Sequence, residues 1–210
     1  MSLSLHQLHF SYIRSQQSDI WQRDIRFQEG TYYHIRAISG SGKSSLVQAI
    51  YGLNKNYSGE ISYAGKQLRS MTPDQISNIR AQEVSIVFQD LRLLTEFTAS
   101  ENLELKRKLR DFTSAADLER MAGELGIDHL LNRKINTLSY GERQRVAILR
   151  ALLQPFELLL LDEPFSHLDN MNIQKAAALI LKEVQKRGAA LLITNLEKDQ
   201  HFPYHFQMEL

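Results

Sequence analysis

Two groups of residues in this 210-residue chain have types and spacings suited to phosphate chemistry. The run Ala37-Ile38-Ser39-Gly40-Ser41-Gly42-Lys43-Ser44-Ser45-Leu46 fits the phosphate-binding pattern G-x-x-x-x-G-K-[ST] at every position except the first, where Ala37 stands. Gly40 and Gly42 carry no Cβ, so the backbone can take positive φ and turn its N–H groups inward around a phosphate held by Ser39 to Ser45. Lys43 supplies a mobile point charge for the β- and γ-phosphates, and the Ser44 hydroxyl can ligate Mg²⁺. The second group is the apolar run Leu158-Leu159-Leu160-Leu161, which ends in two carboxylates, Asp162 and Glu163. Asp162 can hold a Mg²⁺ shell, and Glu163 can polarise a water for attack on a γ-phosphate. Alone, the first group already favours a phosphate loop over a Gly/Ser turn before a lysine, whereas the second reads as a buried strand with a polar exit. Together they favour nucleotide hydrolysis.

The elements around these residues fit the task of positioning them. Thr31 to Ile35 is rich in β-branched and aromatic residues and predicts a buried strand; Ser44 to Leu53 predicts a helix whose positive end faces the anion. Leu3, Leu5, Leu8 and Phe10 predict an early strand with one slip near Gln7, followed by a hairpin loop over Arg14 to Asp19 and a strand around Ile25 and Phe27. Tyr57 to Lys66 reads as a short antiparallel hairpin, and Val84 to Phe88 as a buried strand ending at Gln89. Helices follow from capping patterns at Thr72-Pro73-Asp74-Gln75, at Thr98-Ala99-Ser100-Glu101 (running through Leu109) and at Ser139-Tyr140-Gly141-Glu142 (running to Leu153). Another is expected over Ser114 to Leu125, a last one from about Ile173 to Lys186, and a strand over Ala189 to Thr194. This order predicts an α/β domain: a mostly parallel core with an antiparallel β-subdomain at about 1–94 and 154–210, and a helical subdomain at about 95–153.

The bulk properties agree with one soluble domain. Hydrophobic residues make up 43% and charged residues 23%, and a net charge of +1 gives no electrostatic reason to expect nucleic acid. The absence of cysteine excludes disulfides, thiolate metal sites and cysteine nucleophiles. The start of the chain shows no signal-peptide pattern, and its longest apolar run is too short to cross a bilayer. The cation-rich Lys106-Arg107-Lys108-Leu109-Arg110 reads as a solvated helix face. No zinc site is expected, because His201 and His205, at helical spacing, have Pro203 between them.

From Leu3 to about Glu197 the chain resembles the nucleotide-binding subunit of an ATP-binding cassette (ABC) transporter. The phosphate loop matches the Walker A motif and Gln89 the Q-loop. Leu138-Ser139-Tyr140-Gly141-Glu142 matches the signature, Asp162 and Glu163 match Walker B, and Ser166-His167-Leu168-Asp169 matches the D-loop. Tyr12 sits where the family places the aromatic that stacks on adenine. The resemblance implies a P-loop NTPase fold and an ATP hydrolase with ATP and Mg²⁺ as ligands. Mg²⁺ would be held by Ser44, Gln89 and Asp162, and Glu163 would activate water. It also implies a head-to-tail dimer, with a homodimer expected and a heterodimer left open, in which Ser139, Gly141 and Asp169 complete the partner's ATP site. A separate transmembrane permease would be driven by the dimer and would hold the chain, otherwise cytoplasmic, at the inner face of the cell membrane. Finer similarity, in Phe88 to Leu94, Phe97 to Asn102 and Gly141 to Ile148, is to the lipoprotein-releasing, macrolide-exporting and cell-division group of ATPases.

Three positions depart from the family pattern. Ala37 is expected to matter little. Tyr140 replaces a signature glycine, and its phenol either crowds the closed dimer or points into solvent. Asn195 replaces the switch histidine: an amide can still donate a hydrogen bond but cannot carry a positive charge, which predicts slower turnover. A subunit that binds ATP but hydrolyses it poorly is therefore the main alternative, and a soluble ABC protein acting on nucleic acid a weaker one. The chain ends about fifteen residues after Asn195, so no C-terminal regulatory domain is expected.

Overall fold

The computed structural model describes residues 3–13 and 18–210, so most of the loop expected over Arg14 to Asp19 lies outside the described residues. Strand β1 (Leu3–His9) pairs antiparallel with β2 (Asp24–Phe27) and with β4 (Ser58–Tyr63), and β4 pairs with β5 (Lys66–Gln67). The slip read in β1 is a bulge: Gln7 has φ 48° and the register with β4 shifts between His6 and His9, which returns Leu8 to the buried face. Gly59 makes this bulge feasible, since a Cβ there would lie 2.3 Å from the Gln7 carbonyl oxygen.

The second sheet is parallel, in the order β6 (Val84–Val87), β7 (Leu158–Asp162), β8 (Ala190–Asn195), β3 (Tyr32–Arg36) and β9 (Phe206–Glu209). All five residues of β7 are buried, as expected for a central strand covered on both faces. Its side chains alternate between two cores. Leu158 and Leu160 join the core under the antiparallel sheet, whereas Leu159 and Leu161 join the core under the later helices.

Helix α1 (Lys43–Ile50) follows the phosphate loop and stops three residues earlier than expected, because Gly52 turns left-handed (φ 77°) just past its end. Helices α2 (Pro73–Gln82), α3 (Ala99–Arg107) and α5 (Tyr140–Leu152) each start at the expected capping box, and α4 (Ala115–Glu124) is capped by Ser114. Helix α3 ends two residues short of Leu109. Helix α6 (Asn170–Arg187) begins three residues before Ile173, because Asp169 is its N-cap and accepts a hydrogen bond from the Asn172 N–H at 2.9 Å.

One element lies outside the sequence expectations and one expectation is corrected. The tail carries a strand, β9, whose Phe-Gln-Met-Glu alternation is only four residues long and in which only Met208 is half-buried. Long-range partners hold it instead: Phe206 stacks on Tyr33, and Arg36 pairs with Glu209. The cation-rich segment is also not one solvated face. Lys108 and Arg110 are exposed, but Arg107 pairs with Glu104 at 2.8 Å and Lys106 is half-buried. Burial, helped by the nearby Arg150 charge, pushes the Lys106 ammonium down to about 8.

Candidate functional site

The loop between β3 and α1 takes its shape from two glycines with positive φ, Gly40 at 82° and Gly42 at 101°. At Gly42 the requirement is also steric: a Cβ would lie 2.2 Å from Ile13 Cδ1 and 3.0 Å from the Trp21 ring. Trp21 packs behind the loop and donates its indole N–H to the Ser41 carbonyl at 3.3 Å. Ala37 lies outside the positive-φ residues and is buried, so its methyl is accommodated at the loop's entrance.

Lys43 opens α1 and is 7% exposed. Its ammonium donates to the Ala37 carbonyl at 3.1 Å and lies 3.2 Å from Glu163 Oε1. Glu163 follows β7 directly and sits in the left-handed region (φ 49°), its N–H bonded to the Thr194 carbonyl. That conformation is strained for a non-glycine residue and fixes the carboxylate over the phosphate loop. Gln89 spans the gap. Its amide N–H₂ donates to Glu163 Oε2 at 3.3 Å, and its carbonyl oxygen accepts from Ser44 Oγ at 3.4 Å.

Asp162 is buried and accepts from the Thr194 hydroxyl at 2.7 Å. Burial pushes its carboxyl above the usual range, against the hydrogen bonds from Thr194 and Ser44. Ser44 Oγ, the Gln89 carbonyl oxygen and the Asp162 carboxylate form a set of hard oxygen donors of the kind Mg²⁺ takes, so these residues fit that ion. The cavity above the loop measures about 330 Å³ and is lined by Ser39, Gly40, Gly42, Lys43, Ser44, Ser45, Gln89 and Glu163, with Tyr12 at one wall. Tyr12 is 60% exposed and donates its hydroxyl to Ser45 Oγ at 2.9 Å, which leaves a ring face open beside the cavity.

Four residues singled out in the sequence lie elsewhere. Ser139 caps α5, and Gly141 packs so closely on the D-loop that a Cβ would lie 2.8 Å from the His167 carbonyl oxygen. Neither lines the cavity of its own chain, and Asp169 is occupied as the cap of α6. Asn195 lines a neighbouring cavity of about 320 Å³ on the other side of Glu163, together with Ser166 and His201. Its amide donates to Asp199 Oδ2 at 2.9 Å, and Asp199 Oδ1 accepts from the His201 N–H and the Tyr204 hydroxyl.

Four contributors were missed in the sequence: Trp21, Thr194, Gln144 and the hydroxyl of Tyr140. Gln144 is buried, donates to the Glu163 carbonyl at 3.2 Å and accepts the His167 N–H at 3.2 Å. A glutamine in helical register with Ala147, Ile148 and Ala151 was its available signal. Tyr140 is 40% exposed but not free: its hydroxyl donates to the Gln89 backbone carbonyl at 2.9 Å and its ring lies 4.1 Å from the His167 ring.

The chain is similar to known proteins in sequence and fold. The family described as ABC transporter matches residues 22–166. The lipoprotein-releasing system ATP-binding protein LolD of Psychrobacter arcticus is 36% identical over 178 residues, covering 82% of this chain and 78% of its own. The macrolide export ATP-binding/permease protein MacB of Mannheimia succiniciproducens is 32% identical over 83% of this chain, which spans 28% of that longer protein. Among solved structures, the dimeric ABC transporter cassette MJ0796 superposes with a TM-score of 0.80 at 26% identity, covering 93% of this chain and 88% of its own. A post-hydrolysis state of the same cassette, bound to ADP and Pi, superposes at 0.78.

Proposed function

The chain belongs to the ABC transporter family and is one of its ATP-hydrolysing subunits, and from that premise we propose how its residues divide the work. The observation that carries the reading is the convergence at one cavity wall of Lys43 on Glu163 (3.2 Å), Glu163 on Gln89 (3.3 Å) and Gln89 on Ser44 (3.4 Å). The ATP phosphates lie in the loop Ser39 to Ser45, with the adenine against Tyr12. Lys43 leaves Glu163 for the β- and γ-phosphates. Ser44, Gln89 and Asp162 hold Mg²⁺, which when bound neutralises charge on the transferred phosphoryl group.

Glu163, released from Lys43, accepts a proton from water as the water oxygen bonds to the γ-phosphorus and the bond to the bridging oxygen breaks. ADP and phosphate are the products. Gln89 orients the Glu163 carboxylate, whereas Asn195, its amide bonded to Asp199 beside the neighbouring cavity, lacks the charge a histidine can carry.

Ser139, Gly141 and Asp169, absent from the chain's own cavity, complete the site of a second cassette in a head-to-tail dimer. The force passes to a separate permease, which seats a segment in the cleft between the core and α3. This cleft, about 320 Å³, joins the apolar Phe88, Leu94, Leu105 and Leu109 to the cations Lys106 and Arg150. Such a partner would place the chain at the inner face of the cell membrane; no helix among the described residues is itself long and apolar enough to cross one. The phosphate-loop assignment is tested by ATP binding to Lys43→Ala. A loss of at least tenfold, about 1.4 kcal/mol, is expected, and wild-type affinity in the variant would refute it.

A further inference from the structure

We propose that Tyr140 is a positioning residue for Gln89, and that α5 clamps the loop after β6 so that the Gln89 amide stands between Ser44 and Glu163. The inference rests on the ATPase reading above and goes beyond it, because the residue responsible is the one that departs from the signature pattern.

The loop from Gln89 to Arg92 has turn bonds of its own, Leu91 N–H to the Phe88 carbonyl at 3.0 Å and Arg92 N–H to the Asp90 carbonyl at 2.7 Å, but its backbone is strained. Leu91 (φ 59°) and Arg92 (φ 47°) are successive non-glycine residues in the left-handed region, where a Cβ crowds the backbone. Such a conformation persists only where its surroundings over-determine it. Here α5 does so from both ends. At its C-terminal end the Arg150 guanidinium donates to the Leu91 and Arg92 carbonyls, both at 2.6 Å. At its N-terminal end the Tyr140 hydroxyl donates to the Gln89 carbonyl at 2.9 Å. Three of the four carbonyls from Gln89 to Arg92 are thus held by side chains of one helix.

The consequence falls on the Gln89 side chain. Its two amide atoms lie 3.4 Å from Ser44 Oγ and 3.3 Å from Glu163 Oε2, at the long end of hydrogen-bond reach. These contacts do little to fix the backbone, and a small rotation of the Gln89 peptide breaks one of them. Tyr140 is itself held, because its ring lies against His167, whose N–H is bonded to the buried Gln144 of the same helix. A glycine at position 140 supplies neither ring nor hydroxyl. The tyrosine therefore ties the start of α5 to the backbone of the residue whose side-chain oxygen would meet Mg²⁺.

Tyr140→Phe removes the hydroxyl and keeps the ring, and it is tested in the full chain by two measurements. The first is binding of radiolabelled ATP in Mg²⁺ against binding in EDTA; the second is phosphate release. Tyr140→Phe is expected to reduce severalfold the strengthening of ATP binding by Mg²⁺ and to lower kcat about tenfold, with affinity in EDTA unchanged. In a Gln89→Ala background the same substitution should have no further effect, since the group it positions is gone. Wild-type Mg²⁺ dependence in Tyr140→Phe would overturn the proposal. So would an equal loss in the Gln89→Ala background, which would mark Tyr140 as a general structural support. A wild-type protein that binds Mg²⁺-ATP but releases no phosphate would instead defeat the ATPase reading, with the binding comparison still deciding the role of Tyr140.

Discussion

The Lys43 ammonium lies 3.2 Å from Glu163 Oε1, with both side chains about nine-tenths withdrawn from solvent. Without nucleotide, the lysine that would bind phosphate and the carboxylate that would activate water neutralise each other. Two charges at this depth are tolerable only as a pair, and removal of one leaves the other uncompensated. On the proposed assignment ATP would displace Glu163 from Lys43, which would charge the site and free the base in the same step.

This pairing predicts opposite effects of one substitution on two measurements. Glu163→Gln should lower the stability of the protein without added nucleotide in denaturant unfolding by about 3–5 kcal/mol. It should also tighten ATP binding, because the phosphates no longer compete with a carboxylate for Lys43. Unchanged ATP affinity would contradict the competition.

At Gly42, φ 101° and the 2.2 Å approach of Ile13 Cδ1 to an added Cβ act together. Gly42→Ala should therefore abolish detectable ATP binding, whereas Gly40→Ala should weaken it less, since a Cβ at Gly40 meets nothing within 4 Å and pays only the left-handed strain. Equal effects of the two in a binding titration would show that packing against Ile13 is irrelevant.

Asn195 is spent on Asp199. Asn195→His should raise the steady-state rate of ATP turnover, because an imidazole can share a proton with the γ-phosphate. An unchanged rate would dissociate turnover from this position.

Lys106 offers a test through pH. Its folded-state value, about 8, lies below the ordinary value of 10.5. Between these two values the unfolded chain binds more protons than the folded one. Stability contributed by this group is therefore absent at pH 7 and appears as pH rises from about 8 toward 10.5. Lys106→Met should stabilise the protein on the order of 1 kcal/mol at pH 7, after discount for partial exposure, and by little at pH 10. Equal stabilisation at both would assign the effect to packing rather than charge.

The parts legible in the sequence were those governed by local rules. The phosphate loop, the capping boxes at Thr72, Thr98 and Ser139 and the buried run Leu158–Leu161 are each set by residues close in the chain, and all stand where expected. The family resemblance then ordered Gln89, Asp162 and Glu163 around the loop. What escaped depends on contacts between distant residues. β9 is exposed and gains its place from Tyr33 and Arg36. Thr194, in an apolar strand, has a polar purpose visible only once Asp162 lies beside it in the sheet. The direction of the Tyr140 phenol was equally hidden, since its acceptor is a backbone carbonyl fifty-one residues earlier in the chain.

The central claim is that Glu163 takes the proton from water while Lys43, Ser44 and Asp162 hold Mg²⁺-ATP. It is tested most directly by phosphate release from saturating Mg²⁺-ATP by the wild type and by Glu163→Gln, with bound nucleotide measured in the same samples. Turnover in the wild type, lost at least a hundredfold in Glu163→Gln while ATP remains bound, is the expected result. Equal phosphate release by the two proteins would contradict the account.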